Sequence, residues 1–160
     1  MKSVYLAGGI SGLTKEEASQ WRNEATDFLR TYNIRTFDPM LTDHVHDPGG
    51  VPYDTDYSKP RCSNEIFGED ITLINKSCVL FARLDTAKSI GTPWELGFAW
   101  AKGLNIVLVV NQELYHHPFI QGTTPYLYTD WEKALLQVPS VVNNENSIKR
   151  FFRRLRRSRI

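Results

Sequence analysis

Short apolar segments alternate with amphipathic segments along most of the chain, and this order constrains the fold more than any other feature. The segment 106–110, IVLVV, is continuously apolar, which is typical of a strand buried on both faces of a parallel sheet. Similar segments predict strands at 4–7, 33–37, 78–82 and 126–128. With the helices between them, the predicted order is β, α, β, α, β, α, β, β, α. This order predicts an α/β fold with a doubly wound, parallel five-stranded sheet and helices on both faces.

Two helices in the first half of the chain have recognisable start signals. Thr14 and Glu17 have the spacing of a capping box, and the apolar residues that follow recur at helical spacing. Ser63 is the predicted N-cap of a second helix at 64–75. Both helices connect predicted strands, as the parallel sheet requires.

The stretch SIGTPWELGFA, residues 89–99, contains the most informative carboxylate. By local pattern, Thr92 is an N-cap, Pro93 the first helical residue and Glu95 the acid of a capping box worth about 1 kcal/mol. By its place after the third strand, Glu95 faces the edge where open parallel sheets bind ligands. We therefore expect Glu95 to be a functional group. Its position at a helix N-terminus predicts that it is ionised and nucleophilic.

Other polar segments follow the predicted strands at the same edge. The loop GGISG, residues 8–12, follows the first strand, Asp38 the second and Asn111 the fourth. The glycine spacing does not match the dinucleotide fingerprint and there is no P-loop lysine, so no cofactor is predicted. Backbone N–H groups of the loop are suited to a phosphate or sugar oxygen, and a tight strand-to-helix turn is the alternative interpretation.

The segment 40–60 is rich in Asp, Gly, Pro, His and Tyr and lacks periodicity. Asp43, His44, His46 and Asp47 are side chains of the kind that ligate zinc or another transition metal. Their spacing is a weak metal signal, so we predict no metal. We interpret the segment as a solvated loop or a lid over a substrate.

Size and charge indicate one domain with a distinct tail. The 160 residues, of which 41% are hydrophobic, suffice for a single core, which we place at 1–140. The last twelve residues hold seven Lys or Arg and no acid, so residues 1–148 hold 12 basic and 18 acidic side chains, a charge of −6. Such a body does not bind polyanions broadly. We predict a basic amphipathic helix or tail at 141–160, docked on the body or a neighbouring subunit, with nucleic acid or an anionic membrane surface as alternatives.

Three features of the sequence predict the localisation of the protein. No apolar run approaches the roughly 18 residues of a membrane span, and the first residues, MKSVYLAGG, lead into a strand rather than a signal peptide. Cys62 and Cys78 are too few for a disulfide framework. We expect a cytoplasmic protein.

With VYLAGGISG at 4–12, EDITLINKSCVLFARLD at 69–85 and SIGTPWELGFAWAKG at 89–103, the chain resembles the nucleoside 2-deoxyribosyltransferase family. The likeness runs from about residue 2 to 110 and more weakly to 135, and GTxxELGxA is its most specific element. The resemblance implies a flavodoxin-like α/β fold and cleavage of the N-glycosidic bond of 2-deoxyribonucleosides. It also implies a homodimer or higher homo-oligomer with shared active sites.

The resemblance assigns roles to three residues. Glu95 matches the nucleophile that attacks the anomeric carbon, and Tyr5 matches a tyrosine whose hydroxyl positions it. Asp70, which by helix position alone reads as a solvated surface carboxylate, matches an aspartate that contacts the sugar or the departing base. A covalent deoxyribosyl ester, resolved by another base or by water, is thereby implied.

Ser89 stands where several transferases have an aspartate, which resembles the branch that hydrolyses deoxynucleoside 5′-monophosphates. The resemblance also implies that a neighbouring subunit completes each site, with His117 and Gln121 as candidates. Trp94 is a candidate for stacking on the base, with core packing as the alternative. The predicted substrate-binding residues are Gly8, Gly9, Ile10, Ser11, Asp38, Ser89, Gly91, Trp94, His117 and Gln121.

The sequence thus predicts an enzyme that cleaves the N-glycosidic bond of 2′-deoxynucleosides or their 5′-monophosphates through Glu95 and passes the sugar to another base. One alternative is a 5′-monophosphate N-hydrolase, with water as acceptor. A second is a non-catalytic nucleotide sensor. A nucleic-acid-associated protein acting through its basic tail is a third.

Overall fold

The computed structural model describes residues 1–10, 12–41, 60–86 and 89–144. Its strands are β1 Ser3–Gly8, β2 Arg35–Phe37, β3 Val79–Leu84, β4 Asn105–Val110 and β5 Tyr126–Tyr128. Its helices are α1 Lys15–Thr31, α2 Pro60–Asn75, α3 Gly91–Ala101, α4 Gln112–Tyr115, α5 Pro118–Thr123 and α6 Trp131–Asn143, with a short 3-10 turn at Pro39–Leu41. Each of the predicted strands is present, and no bound differs from the prediction by more than two residues.

The five strands form one sheet in the order β2-β1-β3-β4-β5, and every neighbouring pair is parallel. After β2 the chain returns past β1 to build the other half of the sheet, so the strand order reverses between β1 and β3. In open parallel sheets this reversal opens a crevice beyond the carboxyl ends of the two strands. The prediction of a doubly wound, parallel α/β sheet is confirmed.

Successive side chains of the central strands point to opposite faces of the sheet, so the core is divided into two layers. On the face covered by α1 and α6 the buried residues include Val4, Leu6, Trp21, Leu29, Phe81, Val107, Ala134 and Val138. On the face covered by α2 and α3 they include Tyr5, Ala7, Ile74, Leu80, Leu96, Ala99, Ile106 and Leu108. Tyr5 is a polar-tipped member of the second layer, which brings its hydroxyl to α2 and α3.

The predicted helix starts have different outcomes. The capping box of α1 is confirmed: the Glu17 N–H donates to Thr14 Oγ1 (3.2 Å), and the Thr14 N–H donates to Glu17 Oε2 (2.8 Å). The start predicted at Ser63 is wrong, because α2 already begins at Pro60, a residue suited to a first turn since it lacks an N–H.

The capping box predicted for α3 is also wrong. This helix begins at Gly91, the residue before it is Ile90, and no side chain caps it. Thr92 is buried within the first turn, and its hydroxyl is hydrogen-bonded to that of Ser89 (Oγ–Oγ1 3.1 Å). The sequence also missed α4 and α5, which lie between β4 and β5 and are too short for apolar periodicity to reveal.

The chain after β5 forms α6, which is capped by Asp130: the Lys133 N–H donates to Asp130 Oδ1 (3.0 Å). The helix continues to Asn143, and the Lys2 ammonium donates to Asn143 Oδ1 (2.9 Å). The basic segment at 145–160 lies outside the described residues, so the division into 1–140 and 141–160 stays a prediction. Within the described ranges, no helix combines the length and apolar character needed to cross a membrane.

Candidate active site

Three side chains from three elements meet near the crevice: Tyr5 from β1, Asp70 from α2 and Glu95 from α3. The Tyr5 hydroxyl donates a hydrogen bond of 2.7 Å to Glu95 Oε1. The Asp70 carboxyl group lies close enough to interact with this hydroxyl and with Glu95. Tyr5 is fully buried, Glu95 is 9% exposed and Asp70 is half-buried, so Glu95 is the more strongly shielded of the two acids. We call these three residues the carboxylate cluster.

Burial controls the protonation of both acids in the carboxylate cluster. It raises the pKa of Glu95 to about 7, against the opposing effects of the Tyr5 hydrogen bond and the Arg22 charge, while the nearby Asp70 adds to the rise. Burial likewise raises the pKa of Asp70 to about 6. The helix N-terminus was expected to keep the pKa of Glu95 low. That expectation is wrong, because desolvation outweighs the effect of the helix and raises the pKa. An acid–base pair that titrates near neutrality is suited to general acid–base chemistry.

The start of α3 is suited to binding an anion. The Ser89 and Thr92 hydroxyls are hydrogen-bonded to each other there, and Gly91, the first helical residue, is exposed. The first backbone N–H groups of a helix have no partner within the helix and favour a negative charge. Ser89 and Gly91 therefore lie where an anionic group of a ligand would be stabilised.

The glycine loop begins where β1 ends, as predicted. Gly9 and Ile10 are half-buried, and the Ile10 carbonyl accepts from the Leu13 N–H (3.1 Å) in a tight turn. A Cβ atom at Gly8 would lie 2.6 Å from a ring carbon of Trp21, so any larger residue there displaces the indole. Ser11, also predicted to bind substrate, lies outside the described residues.

Asp38 is at the expected sheet edge, but its carboxylate faces protein groups. It accepts from the Met40 N–H (2.9 Å) and lies 3.4 Å from Nε of Arg22. Arg22 was not among the residues predicted from the sequence, although its position on the apolar face of α1, one residue after Trp21, indicates a buried charge. A charged residue on an apolar helix face needs a partner, and Asp38 is that partner here.

Three other predicted residues lie on helix surfaces. Trp94 is 46% exposed and contacts Phe67 edge-on (4.7 Å between ring centres) and Phe98 by stacking (5.6 Å), so it is not a core residue. His117 and Gln121 are exposed at α5, and the Gln121 N–H donates to the His117 carbonyl (3.0 Å). Their roles in binding stay predictions. The candidate metal ligands at 43–47 lie outside the described residues; among those described, no three His, Cys, Asp or Glu cluster as ligands would.

A doubly wound parallel sheet with a buried acid pair near its topological switch point defines an α/β enzyme of nucleophilic or acid–base chemistry. Comparison with known proteins narrows the class. The family model for nucleoside 2-deoxyribosyltransferase matches residues 4–146, and the chain belongs to that family. It is accordingly an N-glycosyl transferase or N-glycoside hydrolase.

Solved structures support the fold assignment. The 2-deoxyribosyltransferase of Bacillus psychrosaccharolyticus is similar over 83% of this chain and 90% of its own, with 19% identity and a TM-score of 0.61. The CMP N-glycosidase BcmB of Clostridium botulinum is similar over 86% and 98%, with 18% identity and a TM-score of 0.55. The 2-desoxiribosyltransferase of Leishmania mexicana is similar over 72% and 71%, with 18% identity and a TM-score of 0.53. No curated protein sequence gives a significant match.

Proposed function

We propose that this protein cleaves the N-glycosidic bond of 2′-deoxynucleosides or their 5′-monophosphates through a covalent deoxyribosyl ester of Glu95, and passes the sugar to another base. The observation that carries the proposal is the 2.7 Å hydrogen bond from the Tyr5 hydroxyl to Glu95 Oε1, made beside a second acid, Asp70. A nucleophile, a group that orients it and a proton donor are the parts that this chemistry needs.

The hydrogen bond from Tyr5 supports different roles for the two acids, Glu95 and Asp70. A phenol hydroxyl has one proton to donate, and Tyr5 donates it to Glu95. That hydrogen bond favours the ionised form of Glu95. The first step requires this form together with protonated Asp70. Because the charge of Asp70 raises the pKa of Glu95, the two acids titrate as a coupled pair, and ionised Glu95 with protonated Asp70 is one of the two singly protonated states of that pair.

In the first step, the Glu95 carboxylate attacks the anomeric carbon of the sugar while the bond from that carbon to the base breaks. The electron pair of the broken bond stays on the base nitrogen, and the base takes a proton from Asp70. The developing positive charge on the sugar is stabilised by the adjacent Glu95 carboxylate. The products are the free base, a deoxyribosyl ester of Glu95 and ionised Asp70.

In the second step, an acceptor base attacks the same carbon, and the ester bond breaks with its electron pair returning to Glu95. The proton lost by the acceptor goes to Asp70, which restores the starting state. Two displacements at one carbon retain its configuration. If water replaces the base, the same sequence becomes a hydrolysis.

The start of α3 favours a 5′-monophosphate N-hydrolase as the second candidate function. Ser89 carries a hydroxyl, which is hydrogen-bonded to the Thr92 hydroxyl. A hydroxyl at this position can donate to a phosphate, whereas a carboxylate would repel it. Backbone N–H groups from Gly91 onward add donors for the same anion. We assign the remaining predicted contacts to sugar and base: Gly8, Gly9, Ile10, Ser11 and Trp94. We further propose a homo-oligomer in which His117 and Gln121 reach the site of a neighbouring subunit, and a cytoplasmic location.

The proposal is tested by chromatography of products from each 2′-deoxynucleoside and its 5′-monophosphate, with and without a second free base. Glu95→Gln is the test variant, and Glu16→Gln, an exposed acid in the first turn of α1, is the matched control. Acid quenching followed by intact-protein mass measurement detects the deoxyribosyl ester on the enzyme. We expect the ester and the products with the control but not with Glu95→Gln.

The products distinguish the candidate functions. A new nucleoside that forms only with an acceptor base supports the transferase. Free base and deoxyribose 5-phosphate without an acceptor support the hydrolase. Binding of nucleotides without either product contradicts the proposed mechanism and supports the sensor alternative.

A further inference from the structure

Arg22 is the one buried Lys or Arg among the residues that the structure describes, and its side chain is fully enclosed. It lies on α1 next to Trp21, and its guanidinium carbon is 4.5 Å from the centre of that indole ring. A guanidinium removed from water carries a large desolvation cost, and an apolar residue of similar size often stabilises a fold equally well. Its presence near a pair of acids therefore points to a role beyond packing.

The contacts of Arg22 connect three elements. Nη1 donates to the Ala18 carbonyl on α1, and Nη2 donates to the Gly8 carbonyl at the end of β1 (2.8 Å). Nε lies 3.4 Å from Asp38 Oδ1, after β2, and within the described ranges it has no hydrogen-bond partner. The guanidinium thus fixes the backbone at the point where the glycine loop begins.

The charge of Arg22 also reaches the carboxylate cluster. It opposes the effect of burial on the pKa of Glu95 and on that of Asp70, lowering both. The charged or titratable groups that act on these two acids come from the helices of the acids themselves and from two other elements. They are Tyr5 of β1, Arg22 of α1, the acids themselves and Glu69 of α2, while Asp38 after β2 acts on Arg22.

We propose that Arg22 is a positioning residue of this active site, which anchors the end of β1 beneath the glycine loop and stabilises the ionised form of the neighbouring acids. This inference rests on the proposed function for its catalytic meaning. The effect of the Arg22 charge on the pKa of the two acids does not depend on any substrate. Asp38, predicted as a substrate contact, then serves to hold the guanidinium in place.

The test compares Arg22→Met, which removes the charge, with Arg22→Lys, which keeps the charge but loses the planar fork. Arg30→Met is the matched control, because Arg30 lies on the same helix, is exposed and is paired with Asp27. If Arg22→Met does not fold, Arg22→Gln takes its place as a neutral variant that can still donate to the Gly8 carbonyl. The first readout is the NMR titration of the Glu95 and Asp70 side-chain carboxyl carbons in the full chain without substrate.

We expect the carboxyl titrations to move to higher pH in the neutral variant, and to stay near those of the wild type in Arg22→Lys and Arg30→Met. If the neutral variant titrates like the wild type, the inference is overturned. This measurement needs no turnover, so it stands even if no N-glycosidic bond is cleaved. An active enzyme with unmoved titrations overturns the role of Arg22 and leaves the proposed function intact.

The second readout is the pH dependence of kcat. In the neutral variant, the acidic limb is expected to move to higher pH, with about a tenfold loss of rate below the limb for each unit of movement. A purely structural role would lower kcat by one factor at every pH. That uniform loss would overturn the electrostatic part of the inference.

Discussion

Replacing the proposed nucleophile should stabilise the protein, and the gain should depend on pH. Burial raises the pKa of Glu95 from 4.5 to about 7 in the folded chain. Below pH 4.5 the carboxyl is protonated in both the folded and the unfolded state, so it adds no difference. Between pH 4.5 and 7 the folded state holds more protons, so the free energy of unfolding falls as pH rises. Above pH 7 the buried charge costs about 3 kcal/mol, from about 2.5 pKa units at 1.36 kcal/mol each.

Glu95→Gln removes that cost, since its neutral side chain keeps an oxygen to accept the Tyr5 hydrogen bond. We expect the variant to exceed the wild type in free energy of unfolding by up to about 3 kcal/mol at pH 8, and to equal it near pH 4.5. Urea unfolding followed by tryptophan fluorescence, at one protein concentration and at several pH values, measures the difference. Glu16→Gln, an exposed acid, is the control and should change the free energy by less than about 0.5 kcal/mol.

A loss of stability at pH 8 on Glu95→Gln would refute this reasoning. A gain of equal size at pH 4.5 and pH 8 would refute it too, because the gain would then have nothing to do with ionisation.

Three further changes have expected outcomes. Gly8→Ala places a methyl group against the indole ring of Trp21 and should lower the free energy of unfolding by roughly 1–3 kcal/mol in urea unfolding. Gly97→Ala, at a position in α3 with open space around it, should leave that free energy unchanged or raise it. Equal effects of the two substitutions would contradict the close approach at Gly8. Tyr5→Phe removes a hydrogen-bond donor that lowers the pKa of Glu95, so the acidic limb of the kcat profile should move to higher pH. At pH 6, kcat should fall about tenfold or more. An unchanged pH profile would contradict the role of Tyr5 as an orienting group. Ser89→Asp introduces a carboxylate at the start of α3, which should repel a phosphate. In a product assay, the ratio of kcat/KM for 5′-monophosphates to kcat/KM for nucleosides should fall by about tenfold or more. An unchanged ratio would contradict a phosphate contact at this position.

The sheet was predictable because its strands carry a signal that tertiary context seldom reverses. A segment such as 106–110, with five consecutive apolar residues, has few alternatives to a strand buried on both faces. The family resemblance added Tyr5 and Asp70 to the candidate residues. The structure places both beside Glu95.

Local patterns failed where a distant residue offered a better partner. Thr92 and Glu95 have the spacing of a capping box, but the Glu95 carboxylate accepts from Tyr5, ninety positions away in the sequence. Protonation was likewise beyond prediction, because burial and not helix position controls the pKa of Glu95. Arg22 was missed since its partners, the Gly8 carbonyl and Asp38, are brought together only by the packing of α1 on the sheet.

The central place of β1 in the sheet also has a consequence for how the protein folds. β1 is paired on both sides, with β2 and with β3, and β3 begins only at Val79. Parallel pairings between such distant segments are slow to form, because the chain between them must be ordered first. The contact between Tyr5 and Glu95 depends on those pairings, so the site forms only after β1, β3 and α3 have been brought together. Recovery of activity during refolding should therefore follow completion of the centre of the sheet, and not the earlier formation of helices.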